Sequence, residues 1–79
     1  MSENDALREL LIEFFELSPT IPTQELTQKT IAKWDSLAMV QLITETQARF
    51  NVEFELDEIE RLASYVEIHA ALTRKGVRL

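Results

Sequence analysis

Apolar residues recur at helical spacing in three stretches of this chain and lose any period between them. Leu7, Leu10, Leu11, Phe14 and Phe15 follow the i, i+3, i+4, i+7 spacing of an amphipathic helix. Ser2 or Asn4 can cap its start, and acids follow in the first turn, where the helix dipole favours them. Ser18-Pro19 is expected to end it, because proline cannot donate to the hydrogen-bond ladder and pushes the preceding residue out of the helical region. From residue 18 to residue 34 two prolines and several Thr and Gln give no period, so a long connection is expected. Loops beyond about 12–15 residues are uncommon in small domains and are often functional. Ile21, Leu26, Ile31 and Trp34 are positioned to pin this one to a core.

Asp35 is a strong N-cap, so a second helix should begin with Ser36. On a wheel of about 100° per residue, Met39, Leu42, Ile43, Thr46 and Phe50 gather on one side as the core face. Leu37, Val40, Gln41, Thr44 and Ala48 fall on the other side. Apolar residues on a face turned to solvent suggest a partner surface, although single exposed apolar residues are ordinary. Asn51-Val52-Glu53-Phe54 breaks the helix with a short extended piece, and a short helix follows around Leu56, Ile59 and Leu62. Ser64 and Glu67 fit the N-cap and N3 positions of a capping box. The last helix should bury Tyr65, Ile68 and Leu72 and end near Gly76, with Arg74 and Lys75 in its final turn. The pattern predicts an all-α fold: a small four-helix bundle with a long loop between helices 1 and 2 and a short third helix. No internal repeat or second boundary interrupts it, so residues 1–79 read as one domain.

Composition narrows the function classes. A chain of 79 residues buries only roughly 60% of the surface that its unfolded form exposes, which disfavours a deep catalytic cavity. Hydrophobic content of 46% argues against disorder, and one Gly with two Pro argues against a sheet built on tight turns. No apolar run is long enough to span a bilayer, and the first residues are polar and acidic, unlike a signal peptide; a soluble cytoplasmic protein is the expectation. Cysteine is absent, which removes disulfides, thiolate metal sites and a Cys nucleophile together. A net charge of −6 disfavours nucleic acid and anionic membrane as partners. The charge is uneven: residues 36–50 carry only Glu45 and Arg49 and sum to zero. Residues 51–67 carry Glu53, Glu55, Asp57, Glu58, Glu60 and Glu67 against Arg61, and the tail is basic through Arg74, Lys75 and Arg78.

Ser36 is the residue of chemical interest. It follows an N-cap, ends a long loop and precedes a helix with apolar residues on its outer face. The free N–H groups and positive dipole end of a helix N-terminus suit a phosphate ester, so a serine carrying a phosphate-linked group fits this position. An ordinary serine in a first helical turn explains the same spacing, and spacing alone favours that reading. A Ser-His-Asp hydrolase would need His69 beside Ser36, a third orienting group and an oxyanion site; the only histidine lies in the last helix, and Asp35 adjoins the serine. Glu55, Asp57, Glu58 and Glu60 lack the ligand spacing and sharp Gly turn of a calcium loop, so a solvated acidic face is the expectation.

Asp35-Ser36-Leu37 resembles the Asp-Ser-Leu attachment motif of acyl carrier proteins and peptidyl carrier domains. The likeness extends to Val40 and Leu42 after the motif, to Phe50 at the helix end, and to the acidic segment before Ile59 and Leu62, and so covers nearly the whole chain. It implies that a phosphopantetheinyl transferase joins 4'-phosphopantetheine from coenzyme A to Ser36, whose arm then holds an acyl or aminoacyl group as a thioester. Asp35 would cap the helix and position the serine, and Leu37 would pack beside the arm. Leu37, Val40, Gln41, Thr44 and Ala48 would form the docking face for loading enzymes and downstream transferases. The carrier itself would be a monomer and not an enzyme. Ala38, Gln41, Gln47 and Ala48 stand where housekeeping fatty-acid carriers frequently have acids, and Ala32-Lys33-Trp34 replaces a Gly often found before the motif. These departures point to a specialised biosynthetic pathway. The competing expectation is a helical protein–protein interaction module that is never modified, in which Ser36 serves only the helix start.

Overall fold

A computed structural model describes residues 6–77; the capping roles assigned to Ser2 and Asn4, and the charge of Arg78, lie outside the described residues. Among those residues the chain forms four α-helices and no strand: α1 (Ala6–Phe15), α2 (Ser36–Phe50), α3 (Leu56–Ile59) and α4 (Tyr65–Arg74). α1 buries Leu7, Leu10, Leu11 and Phe15, the stripe that the apolar spacing predicts, while Phe14 is half-buried. Its end differs from expectation. Pro19 does not stop it; a Schellman motif does. Glu16 takes a left-handed conformation (φ 56°), its N–H bonds to the Glu13 carbonyl, and the Leu17 N–H bonds to that of Ile12 at 2.9 Å. Leu17 is half-buried against the core, supplying the apolar contact that accompanies this motif.

Between α1 and α2 the chain makes one 3-10 turn, Thr23–Glu25, and is fastened at several points. Leu26, Ile31 and Trp34 are buried and Ile21 is half-buried, as their apolar character requires. The Arg8 guanidinium donates to the carbonyls of Pro19 and Ile21 and to the Thr23 hydroxyl, so α1 holds this segment by its polar side too. Further on, Gln28 N–H donates to the Ala63 carbonyl and Tyr65 N–H to that of Leu26, both at 2.8 Å. These bonds stitch the loop to the start of α4 and satisfy backbone groups that burial would otherwise leave costly.

The core gathers the buried faces of α1, α2 and α4 around Trp34 and Leu26. α2 contributes Met39, Leu42, Ile43 and Thr46; the Thr46 hydroxyl donates to the Leu42 carbonyl at 2.8 Å, which makes its full burial tolerable. Phe50 and Tyr65, expected among the buried residues, are only half-buried, because each sits at a helix end on the rim of the core. α2 stops at Asn51, which is left-handed (φ 57°) as asparagine tolerates; the N–H groups of Asn51 and Val52 share the Gln47 carbonyl. The Gln47 side chain then accepts from Phe54 N–H at 2.9 Å, setting the direction of the extended piece.

α3 is a single turn and buries none of its own four residues. Leu56, read as part of its apolar pattern, is 75% exposed, whereas Leu62 is buried just beyond the helix end. α4 starts at Ser64, whose hydroxyl accepts from Glu67 N–H at 3.2 Å, and Glu67 reaches back to the N–H of Ala63 at 3.2 Å. That return bond falls one residue earlier than the capping-box geometry predicts. α4 buries Ile68, Ala71 and Leu72 and closes with a second Schellman motif. There Gly76 takes φ 89°, and its N–H and that of Val77 bond to the carbonyls of Thr73 and Leu72. A radius of gyration of 11.6 Å matches the roughly 11–12 Å of a compact chain this long.

Candidate functional site

Ser36 is positioned by what lies on either side of it. Two residues earlier, Trp34 is buried and stacks on Phe15 of α1, ring centroids 5.1 Å apart. Three residues later, Met39 is buried too, and its sulfur accepts from the Trp34 indole N–H at 3.5 Å. Burying each large apolar side chain is worth about 1.5–3 kcal/mol, and the stacked aromatic pair adds roughly 0.5–1.5 kcal/mol. Lys33 reinforces the anchor by donating from Nζ to the Phe15 carbonyl at 3.3 Å, one of the acceptors left open at the end of α1. With Trp34 and Met39 both held inward, the residues between them are turned out: Asp35, Ser36 and Leu37 are exposed, and Ala38 is half-buried.

The first turn of α2 is capped locally. Asp35 has extended backbone geometry, its Oδ1 accepts from Ala38 N–H at 2.8 Å, and its carbonyl accepts from Met39 N–H at 2.8 Å. Ser36 is therefore the first helical residue, as the N-cap chemistry predicts. The N–H groups of Ser36 and Leu37 have no acceptor among the described residues, and the Ser36 hydroxyl makes no hydrogen bond there. An exposed hydroxyl thus sits beside two free backbone donors at the positive end of a helix of 15 residues.

Outward from Ser36, α2 carries the five residues placed on its solvent side by the helical wheel. Leu37 is 68% exposed and Val40 59%; Gln41, Thr44 and Ala48 are exposed as well. The Thr44 hydroxyl turns back to the Val40 carbonyl at 2.9 Å, so it offers little hydrogen-bonding capacity outward. The surface is apolar to neutral, with Glu45 at its edge. Compared with family models, curated proteins and solved structures, the chain matches none.

The remaining chemically interesting side chains lie apart from this turn. His69 is on α4 with its ring against that of Tyr65, centroids 5.6 Å apart, and it forms no hydrogen bond with Ser36. The acids of residues 53–60 do not converge: among the described residues no group of three or more His, Asp or Glu side chains is placed to hold a metal ion. Glu53, Glu55, Asp57 and Glu60 are exposed. Glu58 is the exception. Its Oε1 accepts from Glu55 N–H at 2.8 Å and from Lys75 Nζ at 3.1 Å, and these two contacts, the backbone bond foremost, hold its carboxyl below the ordinary value of 4.5. The Ser36 turn was legible from Asp35 onward. The bracing contacts of Lys33, Gln47 and Lys75 join residues 7–18 positions apart and leave no local sequence signal.

Proposed function

We propose that this chain is a carrier protein: Ser36 takes 4'-phosphopantetheine from coenzyme A, and the arm's thiol holds an acyl or aminoacyl group as a thioester. The observation that carries the reading is the exposed Ser36 hydroxyl, without a hydrogen-bond partner among the described residues, at the first position of α2 within an Asp-Ser-Leu sequence. The residues present suit the group. The N–H groups of Ser36 and Leu37, free among the described residues, can face its phosphate, and the exposed Leu37 can pack beside the arm. When attached, the cofactor supplies the thiol that a chain without cysteine lacks.

The chain's own residues hold and present the serine. Asp35 caps the helix, and Trp34 and Met39 fix the turn from inside. Among the described residues no side chain hydrogen-bonds to the Ser36 hydroxyl to take its proton, so its activation is assigned to a phosphopantetheinyl transferase. Leu37, Val40, Gln41, Thr44 and Ala48 form the face on which that transferase, a loading enzyme and downstream transferases dock in turn. The neutral face fits a specialised pathway better than one whose enzymes select an acid-rich helix. The test is incubation of the intact chain with coenzyme A and a broad-specificity transferase, followed by intact mass. Addition of one phosphopantetheine to the wild type and none to Ser36→Ala supports the carrier reading. An unchanged wild-type mass favours a helical interaction module in which Leu37 and Val40 serve an unmodified docking face.

A further inference from the structure

α3 is too short to hold itself together. Helix nucleation is unfavourable, and isolated helices shorter than about 12–15 residues are marginal in water. Packing normally makes up the difference, yet none of residues 56–59 is buried; Ile59 is half-buried and Leu56 points to solvent. What α3 has instead is a set of polar contacts centred on Glu58. One carboxylate oxygen, Oε1, closes the capping box by accepting from Glu55 N–H and also receives Lys75 Nζ from the end of α4. Lys75 Nζ lies 5.3 Å from the centroid of the Phe54 ring, just before α3, within reach of a cation–π interaction. A single ammonium group therefore reaches both Phe54, two residues before α3, and the capping acid Glu58 within it. Both side chains of the pair are about three-quarters covered (25% and 24% exposed), so salt screens the pair less than a fully exposed one.

We infer that Lys75 is a charge latch that keeps α3 closed against the end of α4, so that loss of its charge frees α3 while leaving the other helices in place. The inference stands apart from the carrier reading and uses none of its residues. Closed, α3 covers one side of a cleft of about 450 Å³ whose walls include Leu62, Ala70 and Arg74. Freed, the turn widens the cleft on the side of Glu58 and leaves the Leu62 wall more open to solvent. The other charges facing Glu58 do not replace Lys75. Arg74 adds a weaker attraction without an ion pair, and Glu67 is already engaged with Ala63 and Ser64.

The experiment is residue-resolved amide exchange on the full chain and on Lys75→Met, Lys75→Arg and Glu58→Gln. The reporters are Ile59, Arg61 and Leu62, whose N–H groups bond to the carbonyls of Glu55, Glu58 and Ile59. Ile68 and Leu72 in α4 serve as internal references. Lys75→Met should speed exchange at the three reporters about two- to fivefold, the span expected for an ion pair of this exposure, with Ile68 and Leu72 unchanged. Lys75→Arg should restore protection. Glu58→Gln, which keeps an acceptor for the cap but loses the charge, should match Lys75→Met. Unchanged reporters in Lys75→Met, or an equal rise at Ile68 and Leu72, would overturn the latch.

Discussion

Replacing Asp35 by alanine removes the acceptor that holds Ala38 N–H at 2.8 Å at the start of α2. Loss of an N-cap of this kind costs about 0.5–2 kcal/mol. Two features of the structure place this case near the middle of that range. The bond is short and its acceptor is a carboxylate, which strengthens it. Asp35 is exposed, however, so water can take over part of what is lost. A loss of about 1 kcal/mol follows, which in a domain this small lowers Tm by about 4–8 °C. Trp34 and Met39 stay buried in this variant, so the rest of the turn should hold and the loss should be confined to the cap. Asp35→Asn separates geometry from charge. It keeps a side-chain oxygen and caps as well as aspartate, losing only the attraction between charge and helix dipole, which salt screens. Thermal melts followed by circular dichroism at low and high salt measure both effects. At high salt the asparagine variant should melt with the wild type, while the alanine variant stays several degrees below. An alanine variant that melts with the wild type, or an asparagine variant that falls as far as alanine at high salt, would refute the capping role.

Ile43→Ala should cost about 2–5 kcal/mol in chemical denaturation, Phe50→Ala less than the 3–5 kcal/mol of a fully buried phenylalanine, and Gln41→Ala under about 0.5 kcal/mol; equal losses at Ile43 and Gln41 would contradict the placement of α2. On the carrier reading, Leu37→Ala should impair turnover by a cognate loading enzyme more than Glu45→Ala in steady-state kinetics, and salt should matter little; a housekeeping fatty-acid ketosynthase should use this chain poorly. Strong salt dependence with an intact Leu37→Ala variant would move docking to Glu53, Glu55 and Asp57. Because Glu58 sits below the ordinary 4.5 in the folded chain, the unfolded chain binds the extra proton first. Its contribution to stability is therefore complete above that value and is lost as pH falls through the lower, folded one. The Glu55 amide resonance, which reports the bond to Glu58, should titrate with a midpoint below 4.5, and a midpoint at or above it would contradict the contact.

The parts of this structure that were legible in the sequence are those decided by neighbours in the chain. Asp35 before an apolar-periodic run fixes the start of α2, and Ser64 with Glu67 marks the start of α4, because capping bonds reach only three or four residues. The two faces of α2 follow from helical spacing alone, and so did the exposure of Leu37 and Val40. The end of α1 was misplaced because proline is a conspicuous stop, whereas the real stop needs Glu16 to enter the left-handed region, which glutamate rarely does. The capping box at Glu55 was missed for a related reason: glutamate is not among the preferred N-cap residues. Arg8 with residues 19–23, Lys33 with Phe15, and Lys75 with Glu58 depend on the packing of separate elements, and no periodicity encodes them. Ser36 was singled out by its local context, but the wedge of Trp34 and Met39 that turns it outward became visible only in the fold.

Peptide-level mass spectrometry of the chain after treatment with coenzyme A and a phosphopantetheinyl transferase tests the assignment of Ser36 most directly, because it reads the modified residue itself. The expected result is a single phosphopantetheine on Ser36, with Ser2, Ser18 and Ser64 unmodified and the Ser36→Ala chain unlabelled despite an unchanged helical circular dichroism spectrum. Label on any other serine, or a folded wild-type chain that takes none, would contradict it.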